Sequence, residues 1–374
     1  QLFVPMVFSN RDSFHLKNTL DLVKRNQIGG VIFSKGSPKT QIEWSNLLQS
    51  KSKIPLLISM DAEWGVAMRL KNVLSFPWNM TLGAINDDKL IFDIGKRIGE
   101  QMVRLGIHMN LAPVLDINTN SKNPIIGNRS FGESSSIVVR QSLEVMKGMH
   151  SSMVLTSGKH FPGHGDTSKD SHKTLPTVKF GKKRIREVEL EPFRALIQEG
   201  LSSVMIAHLN IPSIQEKGLP TTLSKSVVTN LLKYELGFNG LILTDALDMI
   251  GVTEVKNISN IDLAAFMAGN DILLMSEDIT GGINSIEKAY FSGLISESRL
   301  EHSVKKILKA KYKSKLHYYS PIKTLESSLS SVKDTLLVSK AFQKAITVIK
   351  NENQILPLNN NKKYGYLSID NGSG

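Results

Sequence analysis

The chain has 374 residues, with 46 Lys and Arg against 34 Asp and Glu, which gives a formal net charge of +12. Hydrophobic residues make up 41% and charged residues 21%, the composition of an ordinary globular protein that is long enough to bury a large core. Cysteine is absent, which excludes disulfides, thiolate nucleophiles, iron–sulfur clusters and cysteine-ligated zinc.

The positive charge does not indicate a nucleic-acid-binding protein. The basic residues are mostly lysines spread along the chain, whereas proteins that read DNA sequence contact base edges mainly with arginine. The densest lysine group, in residues 305–315, has Val304, Ile307 and Leu308 on its other face, which predicts an amphipathic surface helix. We therefore expect no nucleic-acid partner, although the charge is compatible with attraction to an anionic cell-wall polymer.

Eight short apolar segments alternate along the chain with longer segments of helical periodicity. Continuous apolar runs are typical of parallel strands that are covered on both faces. The predicted strands cover residues 2–9, 29–34, 55–61, 108–117, 154–160, 202–208, 240–245 and 271–276. Amphipathic helices are predicted at 87–106, 182–200 and 225–236, where Gly106, Gly200 and Gly237 suit left-handed helix ends.

This alternation predicts an α/β protein in which residues 1–320 form a (β/α)8 TIM-type barrel. The alternative is a doubly wound open sheet, but no G-x-G-x-x-G follows an early strand and no G-x-x-x-x-G-K-[ST] occurs in the sequence. Residues 321–374 are predicted to be a linker and the beginning of a second α/β domain, or a tail packed on the barrel. Within them, residues 332–350 are predicted to be helical and residues 364–369 to form a strand.

No apolar run is long enough for a membrane-spanning helix, and the sequence contains no recognisable signal peptide. The chain starts inside its first predicted strand, so we expect upstream residues to have been trimmed. The absence of cysteine is compatible with the periplasm or cell envelope, which we favour slightly, and the cytoplasm is the alternative.

Polar residues end five of the predicted strands, at the end of the barrel where TIM-barrel enzymes place their active sites. Asp61 and Asp245 each precede a helical segment and could simply cap it. Capping does not require lysine or histidine, so the whole set favours an active site. The strand-end residues are Asp61, Asp116, Lys159, His160, His208 and Asp245.

The densest group of chemically active side chains lies in residues 159–172. One interpretation is a zinc site formed by His160, His164 and His172. The other is acid–base chemistry, in which Asp170 orients and charges His172 so that it donates a proton to a leaving group and later accepts one from water.

A retaining glycosidase combines a carboxylate nucleophile with a nearby proton donor, and Asp245 at the end of a buried strand suits the nucleophile. Sugar recognition also requires polar groups that bind several hydroxyls. Trp64 could stack on a sugar ring, or it could be an ordinary core or rim aromatic residue. The candidate hydroxyl-binding residues are Asp61, Arg69, Arg129, Lys159 and His160.

Residues 159–167, Lys-His-Phe-Pro-Gly-His-Gly-Asp-Thr, with Asp-Ser-His at 170–172, resemble the signature loop of the β-N-acetylglucosaminidase branch of glycoside hydrolase family 3. The resemblance extends in order over nearly the whole barrel. It includes the segment from Asp61 to Arg69, Asn-Arg-Ser-Phe-Gly at 128–132, Met-Ile-Ala-His at 205–208 and Thr-Asp-Ala-Leu at 244–247. Residues 345–358 are similar to the start of the α/β sandwich domain that follows the barrel in many members, which implies an attached C-terminal domain.

The resemblance implies a retaining, exo-acting β-N-acetylglucosaminidase that needs no cofactor or metal. Asp245 would be the nucleophile and His172 the acid/base, with Asp170 as its partner. The substrates would be peptidoglycan fragments of the N-acetylglucosaminyl-1,6-anhydromuramic acid type, or chitooligosaccharides. By the same resemblance and the strand-end pattern, the sugar-binding set is Asp61, Arg69, Arg129, Lys159, His160, His208 and Trp64.

Three alternatives remain open at this point. The histidine cluster could make the protein a zinc-dependent hydrolase, the barrel could be a β-glucosidase-type member of family 3, or the chain could bind sugar without catalysis. The sequence has Ala62 and Trp64 where many members of the branch have Gln and Gly, which bears on the aglycone side of the site.

Overall fold

The computed structural model describes residues 1–168, 174–216, 218–253, 255, 258–323, 329–352 and 355–358. A ring of parallel strands lies at its centre. In chain order they are β1 (Phe3–Val4 and Met6–Val7), β2 (Gly30–Phe33), β3 (Leu57–Met60), β4 (Met109–Asn110), β5 (Leu155–Phe161), β6 (Ser203–Ile206), β7 (Leu241–Thr244) and β8 (Leu273–Leu274).

The ring is closed because the first strand pairs on both sides. Met6–Val7 pairs with β2, and Phe3–Val4 pairs with β8, on either side of Pro5. Between β2 and β7 every strand pairs in parallel with the next one in sequence, and a parallel bridge between Leu243 and Ile272 joins β7 to β8. The predicted TIM-type barrel is confirmed, and each of the eight predicted strand segments overlaps one of the observed strands.

The fourth strand is shorter than the predicted segment 108–117. Ladder pairing covers Met109–Asn110 and returns only as a bridge between Val114 and Lys159. Proline has no N–H to donate to a ladder, so Pro113 interrupts the pairing, although its carbonyl still accepts from the Lys159 backbone N–H at 3.2 Å.

Helices surround the barrel and pack their apolar sides against it. The helix Asp88–Arg104 shows why the sequence folds this way, since the Asp87 side chain accepts from the backbone N–H of Leu90 at its start and its buried residues recur at helical spacing. The chain leaves it through Gly106 at φ +67°, as predicted for that glycine. The α-helices are Ser13–Asp21, Pro38–Lys51, Asn79–Gly83, Asp88–Arg104, Ser135–Ser151, Lys182–Arg184, Glu191–Gln198, Ile250–Thr253, Ile261–Ala268, Ile279–Phe291, Glu297–Lys313 and Val332–Ala345.

Some helical segments depart from α-geometry. Wider π-type turns form Leu22–Asn26, Ile185–Glu189 and Ser226–Glu235, and single 3-10 turns form Val66–Met68, Gly127–Arg129, Thr221–Leu223 and Leu316–Tyr318. The helix predicted at 225–236 therefore occurs with π-type turns, whereas the helix predicted at 182–200 is α-helical at both ends and π-type only over Ile185–Glu189. In the ranges that the structure describes, no helix combines the length and apolar character needed to cross a membrane.

The helix Val332–Ala345 lies against the outside of the barrel. Asp334 on this helix is buried and accepts from the guanidinium of Arg97, which belongs to the helix Asp88–Arg104. Asp334 also accepts from the backbone N–H of Ser331 at 2.6 Å and so completes a capping box. The division at residues 320/321 stays a prediction, and the strand predicted at 364–369 lies outside the described residues.

The ion pair between Arg97 and Asp334 gives the first testable prediction. We expect Asp334→Ala to lower the free energy of unfolding by about 2 kcal/mol, because it leaves Arg97 without this partner and removes half of the capping box. Urea unfolding followed by fluorescence measures the change. Lys344→Ala, an exposed position on the same helix, is the matched control, and equal midpoints for the two variants would contradict the contact.

Candidate active site

A cavity of about 660 Å³ opens at the carboxyl ends of the barrel strands. Asp61 directly follows β3, Asp245 directly follows β7, and Lys159 and His160 belong to the last residues of β5. Parallel strands in a barrel end at the same rim, so these side chains meet although they are far apart in sequence. The predicted site residues that line the cavity are Asp61, Arg69, Arg129, Lys159, His160 and Asp245.

A network of alternating charges forms one wall of this cavity. The ammonium of Lys159 donates to Asp61 Oδ1 and lies at the same distance, 2.8 Å, from Glu63 Oε1. Arg69 Nη2 donates to the other oxygen of Asp61 at 2.6 Å. Arg129 donates two parallel hydrogen bonds to the Glu63 carboxylate, from Nε to Oε2 at 2.9 Å and from Nη2 to Oε1 at 2.8 Å.

These groups are charged although they are removed from water. Burial alone would lower the pKa of Lys159, but the carboxylates of Asp61 and Glu63 raise it above its ordinary value. Burial would likewise raise the pKa of Glu63, yet Lys159 and Arg129 hold it well below its usual range. Lys159 and Arg69 also keep the pKa of Asp61 low against the effect of burial. The charged form of each group thus depends on its partners, so we expect the loss of one charge to destabilise the others.

Asp116 contacts both His160, at the end of β5, and His164, in the loop that follows it, beside this network. Its Oδ2 lies 2.7 Å from His160 Nδ1, and its Oδ1 accepts from the backbone N–H of His164 at 2.7 Å. His160 Nε2 is 3.3 Å from Arg129 Nη2, and a guanidinium only donates, so Nε2 accepts and the ring proton is on Nδ1. Asp116 therefore fixes both the orientation and the tautomer of His160.

Asp245 projects into the cavity from the other side. Its Oδ1 accepts from the backbone N–H of Ala246 at 2.8 Å, which fixes the carboxylate against the start of its own loop. Burial raises the pKa of this carboxyl, but the electrostatic effects of His160, His208 and Lys159 bring it below its ordinary value. Asp245 is therefore ionised at neutral pH, as a carboxylate nucleophile must be.

Two predicted binding residues are not among the described residues that line the cavity. Trp64 stacks on Trp78, with 4.8 Å between the ring centroids and 10° between the planes. His208 is fully buried behind the loop of Asp245, where its Nε2 lies 2.8 Å from the Ala246 carbonyl oxygen. Their roles in sugar binding stay predictions.

The predicted acid/base pair, Asp170 and His172, lies outside the described residues. His172 is also the third histidine of the zinc interpretation, so that interpretation likewise involves a residue outside the described ranges. Within the part of the chain that is described, no three His, Asp or Glu side chains are grouped to hold a metal ion. Burial lowers the pKa of His164 to about 4, and its Nδ1 lies 2.7 Å from Thr167 Oγ1.

Sequence reasoning did not assign roles to Glu63 and Asp116. Glu63 lies only two residues beyond Asp61, and its side chain is fully buried as the shared partner of Lys159 and Arg129. Asp116 carried a signal, its position at the end of a predicted strand, but nothing in the sequence showed that it would contact His160. Glu63 itself lines the cavity and binds Lys159 and Arg129, whereas Asp116 is a positioning residue that acts through His160.

The family model described as "Glycosyl hydrolase family 3 N terminal domain" matches residues 3–310. "Beta-hexosaminidase A" of Pseudoalteromonas piscicida is 32% identical to this chain over 381 residues, covering 93% of the chain and 63% of that protein. "Beta-N-acetylglucosaminidase/beta-glucosidase" of Cellulomonas fimi is 26% identical and is covered over 64% of its length, against 94% of this chain. The chain thus spans somewhat less than two thirds of these two relatives.

Among solved structures, a glycoside hydrolase family 3 β-N-acetylglucosaminidase from Paenibacillus sp. str. FPU-7 superposes with a TM-score of 0.87 at 34% sequence identity. The superposition covers 94% of this chain and 69% of that one. The similarity therefore extends over the barrel and the residues that form the cavity.

The buried carboxylate of Glu63 gives a prediction on stability. We expect Glu63→Gln to lower the free energy of unfolding by about 3 kcal/mol at pH 7, since it leaves Lys159 and Arg129 with uncompensated charge. Because the folded-state pKa of Glu63 lies below the unfolded value of about 4.3, its contribution is present above that pH and is lost as the pH falls. The deficit of Glu63→Gln relative to wild type should therefore shrink on acidification.

Urea unfolding at several pH values tests this, with Glu133→Gln, the same change at an exposed position, as the control. A Glu63→Gln variant as stable as Glu133→Gln at pH 7 would show that the network does not support the fold.

Proposed function

This chain belongs to glycosyl hydrolase family 3, and from that premise we propose that it is a retaining, exo-acting β-N-acetylglucosaminidase with Asp245 as its nucleophile. The observation that carries the proposal is the placement of an ionised Asp245 opposite the network of Asp61, Lys159 and Arg129 in one cavity. Relatives named as β-hexosaminidase and β-N-acetylglucosaminidase support the choice of sugar.

The reaction has two steps. In the first, Asp245 attacks the anomeric carbon while the glycosidic oxygen takes a proton from His172, which gives a glycosyl ester on Asp245 and a free aglycone. In the second, a water molecule gives a proton to His172 and attacks the same carbon, which releases the sugar and restores the Asp245 carboxylate. Asp170 holds the tautomer and favours the charged form of His172.

The charge network supplies the hydroxyl-binding groups of the proposed sugar subsite. Asp61 offers carboxylate oxygens, and Lys159 and Arg69 offer donors whose positions are fixed by the ion pairs among them. Met6, Met205 and other apolar side chains also line the cavity and suit the less polar face of a pyranose.

We propose two classes of substrate for this site, peptidoglycan fragments of the N-acetylglucosaminyl-1,6-anhydromuramic acid type and chitooligosaccharides. Lys35 lines the cavity, and a cation there favours an aglycone that carries a carboxylate. Digestion of muropeptides and of chitobiose, with mass spectrometry of the products, separates the two classes. The β-glucosidase alternative predicts instead that p-nitrophenyl glucoside is cleaved faster than p-nitrophenyl N-acetylglucosaminide.

The nucleophile assignment predicts that Asp245→Asn reduces kcat on p-nitrophenyl N-acetylglucosaminide by about 10³-fold or more, since the amide cannot form the ester. Asp93→Asn, the same change on the outer helix Asp88–Arg104, should keep wild-type activity. A chelator should leave the wild-type rate unchanged, whereas a zinc-dependent hydrolase would be inhibited. Near wild-type activity in Asp245→Asn would overturn the assignment.

The acid/base assignment predicts a dependence on the leaving group. His172→Ala should slow hydrolysis of chitobiose much more than hydrolysis of an activated aryl glycoside, because a good leaving group departs without a proton. The comparison of kcat/KM for the two substrates in wild type and variant measures this. An equal loss on both substrates would assign proton donation to another residue.

A further inference from the structure

His208 lies behind the loop of Asp245, fully buried, and both of its ring nitrogens contact an oxygen. Nε2 is 2.8 Å from the carbonyl oxygen of Ala246, the residue that follows Asp245. Nδ1 is 2.6 Å from the hydroxyl oxygen of Thr222, in the 3-10 turn Thr221–Leu223. These two oxygens constrain which ring nitrogens carry protons.

The Ala246 carbonyl only accepts hydrogen bonds, so His208 Nε2 carries a proton. The Thr222 hydroxyl has one proton, and its oxygen lies 2.6 Å from the carbonyl oxygen of Ala207, which also only accepts. The Thr222 hydroxyl therefore donates its proton to the Ala207 carbonyl, and a lone pair of the Thr222 oxygen faces Nδ1. Nδ1 then carries a proton as well.

A neutral ring would place two acceptors against each other inside the protein. If Nδ1 lacked a proton, the Thr222 hydroxyl would either turn to Nδ1 and face Ala207 with a lone pair, or leave the Nδ1 contact without a proton. The Ala207 carbonyl would keep its hydrogen bond from the Thr221 hydroxyl, but the buried oxygens of Thr222 and Ala207 would then face each other at 2.6 Å without a proton between them, which is unfavourable. The same reasoning gives the opposite result for His160, whose Nε2 faces a donor, Arg129.

A buried cation needs a nearby negative charge, and Asp245 supplies it. The positive charge of His208 is among the causes that counter burial and bring the pKa of Asp245 below its ordinary value. Among the described residues, the other titratable groups that interact with Asp245 are Lys159 and His160 from β5 and His164 from the loop that follows it. Of these, Lys159 is itself paired with Asp61 and Glu63.

We infer that His208 is an imidazolium in the folded protein and acts as a positioning residue for Asp245. Through Nε2 it holds the Ala246 carbonyl, and with it the start of the loop that carries the carboxylate. Its charge stabilises Asp245 as an anion, both before attack and when the carboxylate leaves the glycosyl ester. The catalytic consequence rests on the function proposed above, whereas the protonation state does not.

The direct test is nitrogen NMR on protein labelled with ¹⁵N-histidine, with His208→Gln to assign the signal. We expect both ring nitrogens of His208 to have directly bonded protons at pH 7 and to keep them well above pH 6.5, the ordinary pKa of histidine. His160 should show one protonated nitrogen and serves as the internal contrast. An unprotonated ring nitrogen on His208 at pH 7 would overturn the inference, whether or not the protein cleaves N-acetylglucosaminides.

Substitution of Thr222 tests the link to Asp245. Thr222→Val removes the oxygen that accepts from Nδ1 and leaves the side-chain volume nearly constant. The Ala207 carbonyl still accepts a hydrogen bond from the Thr221 hydroxyl at 2.5 Å, so the substitution does not leave that carbonyl without a partner. We expect Nδ1 to lose its proton, and the acid limb of kcat/KM, which reports Asp245, to move upward by about half a pH unit or more.

Thr222→Ser restores the hydroxyl and should restore both the doubly protonated ring and the wild-type acid limb. A Thr222→Val variant with a neutral His208 and an unmoved acid limb would show that the charge does not act on Asp245. If Thr222 had only a structural role, its substitution would lower activity without moving the acid limb of kcat/KM. The pH profile therefore separates a structural role from an electrostatic effect on Asp245.

Discussion

The candidate site depends on the burial of one ammonium group between two carboxylates. Lys159 is almost completely inaccessible, and removal of such an ion from water costs several kcal/mol. Asp61 and Glu63 compensate for that cost only in this geometry, and each of them also binds an arginine, Arg69 or Arg129. The positions of the cavity-lining charges are therefore coupled, and a ligand meets groups that are already oriented.

The barrel makes this arrangement possible because each element contributes only one or two polar residues. Asp61, Asp116, Lys159 and Asp245 each come at or near the carboxyl end of a different strand, so the rigid ring sets their distances. Asp116 fixes the end of β5 through His160 and the loop after β5 through the backbone N–H of His164. On the far side, the His208 imidazolium that we infer would do the same for the loop of Asp245. The nucleophile would thus be held by an electrostatic partner of its own, separate from the Lys159 network.

The sequence was sufficient for the barrel and for most of the cavity, for physical reasons that apply to any parallel barrel. Continuous apolar runs mark strands covered on both faces, and polar residues at their ends must meet at one rim, which places Asp61, Lys159 and Asp245 together. The predicted segment 108–117 was too long for β4, because the prediction did not take account of the missing N–H of Pro113.

Contacts between side chains could not be predicted in this way. Trp64 lies in sequence between Asp61 and Arg69, yet its ring stacks on Trp78, because the path of the loop after β3 decides which way it points. His208 has the same strand-end position as Asp61 but is turned behind the cavity by Thr222 and Ala246. Glu63 has no sequence signal of its own, since its role arises only when Lys159 and Arg129 approach it in the fold.

The central claim is that Asp245 forms a covalent bond to the sugar. The most direct measurement is mass spectrometry of the protein after incubation with an activated 5-fluoro N-acetylglucosaminide, which slows the second step and traps the ester. The account predicts one added fluorosugar, located by peptide mapping on Asp245 and absent from Asp245→Asn. A sugar bound to a different residue, or steady turnover by Asp245→Asn, would contradict it.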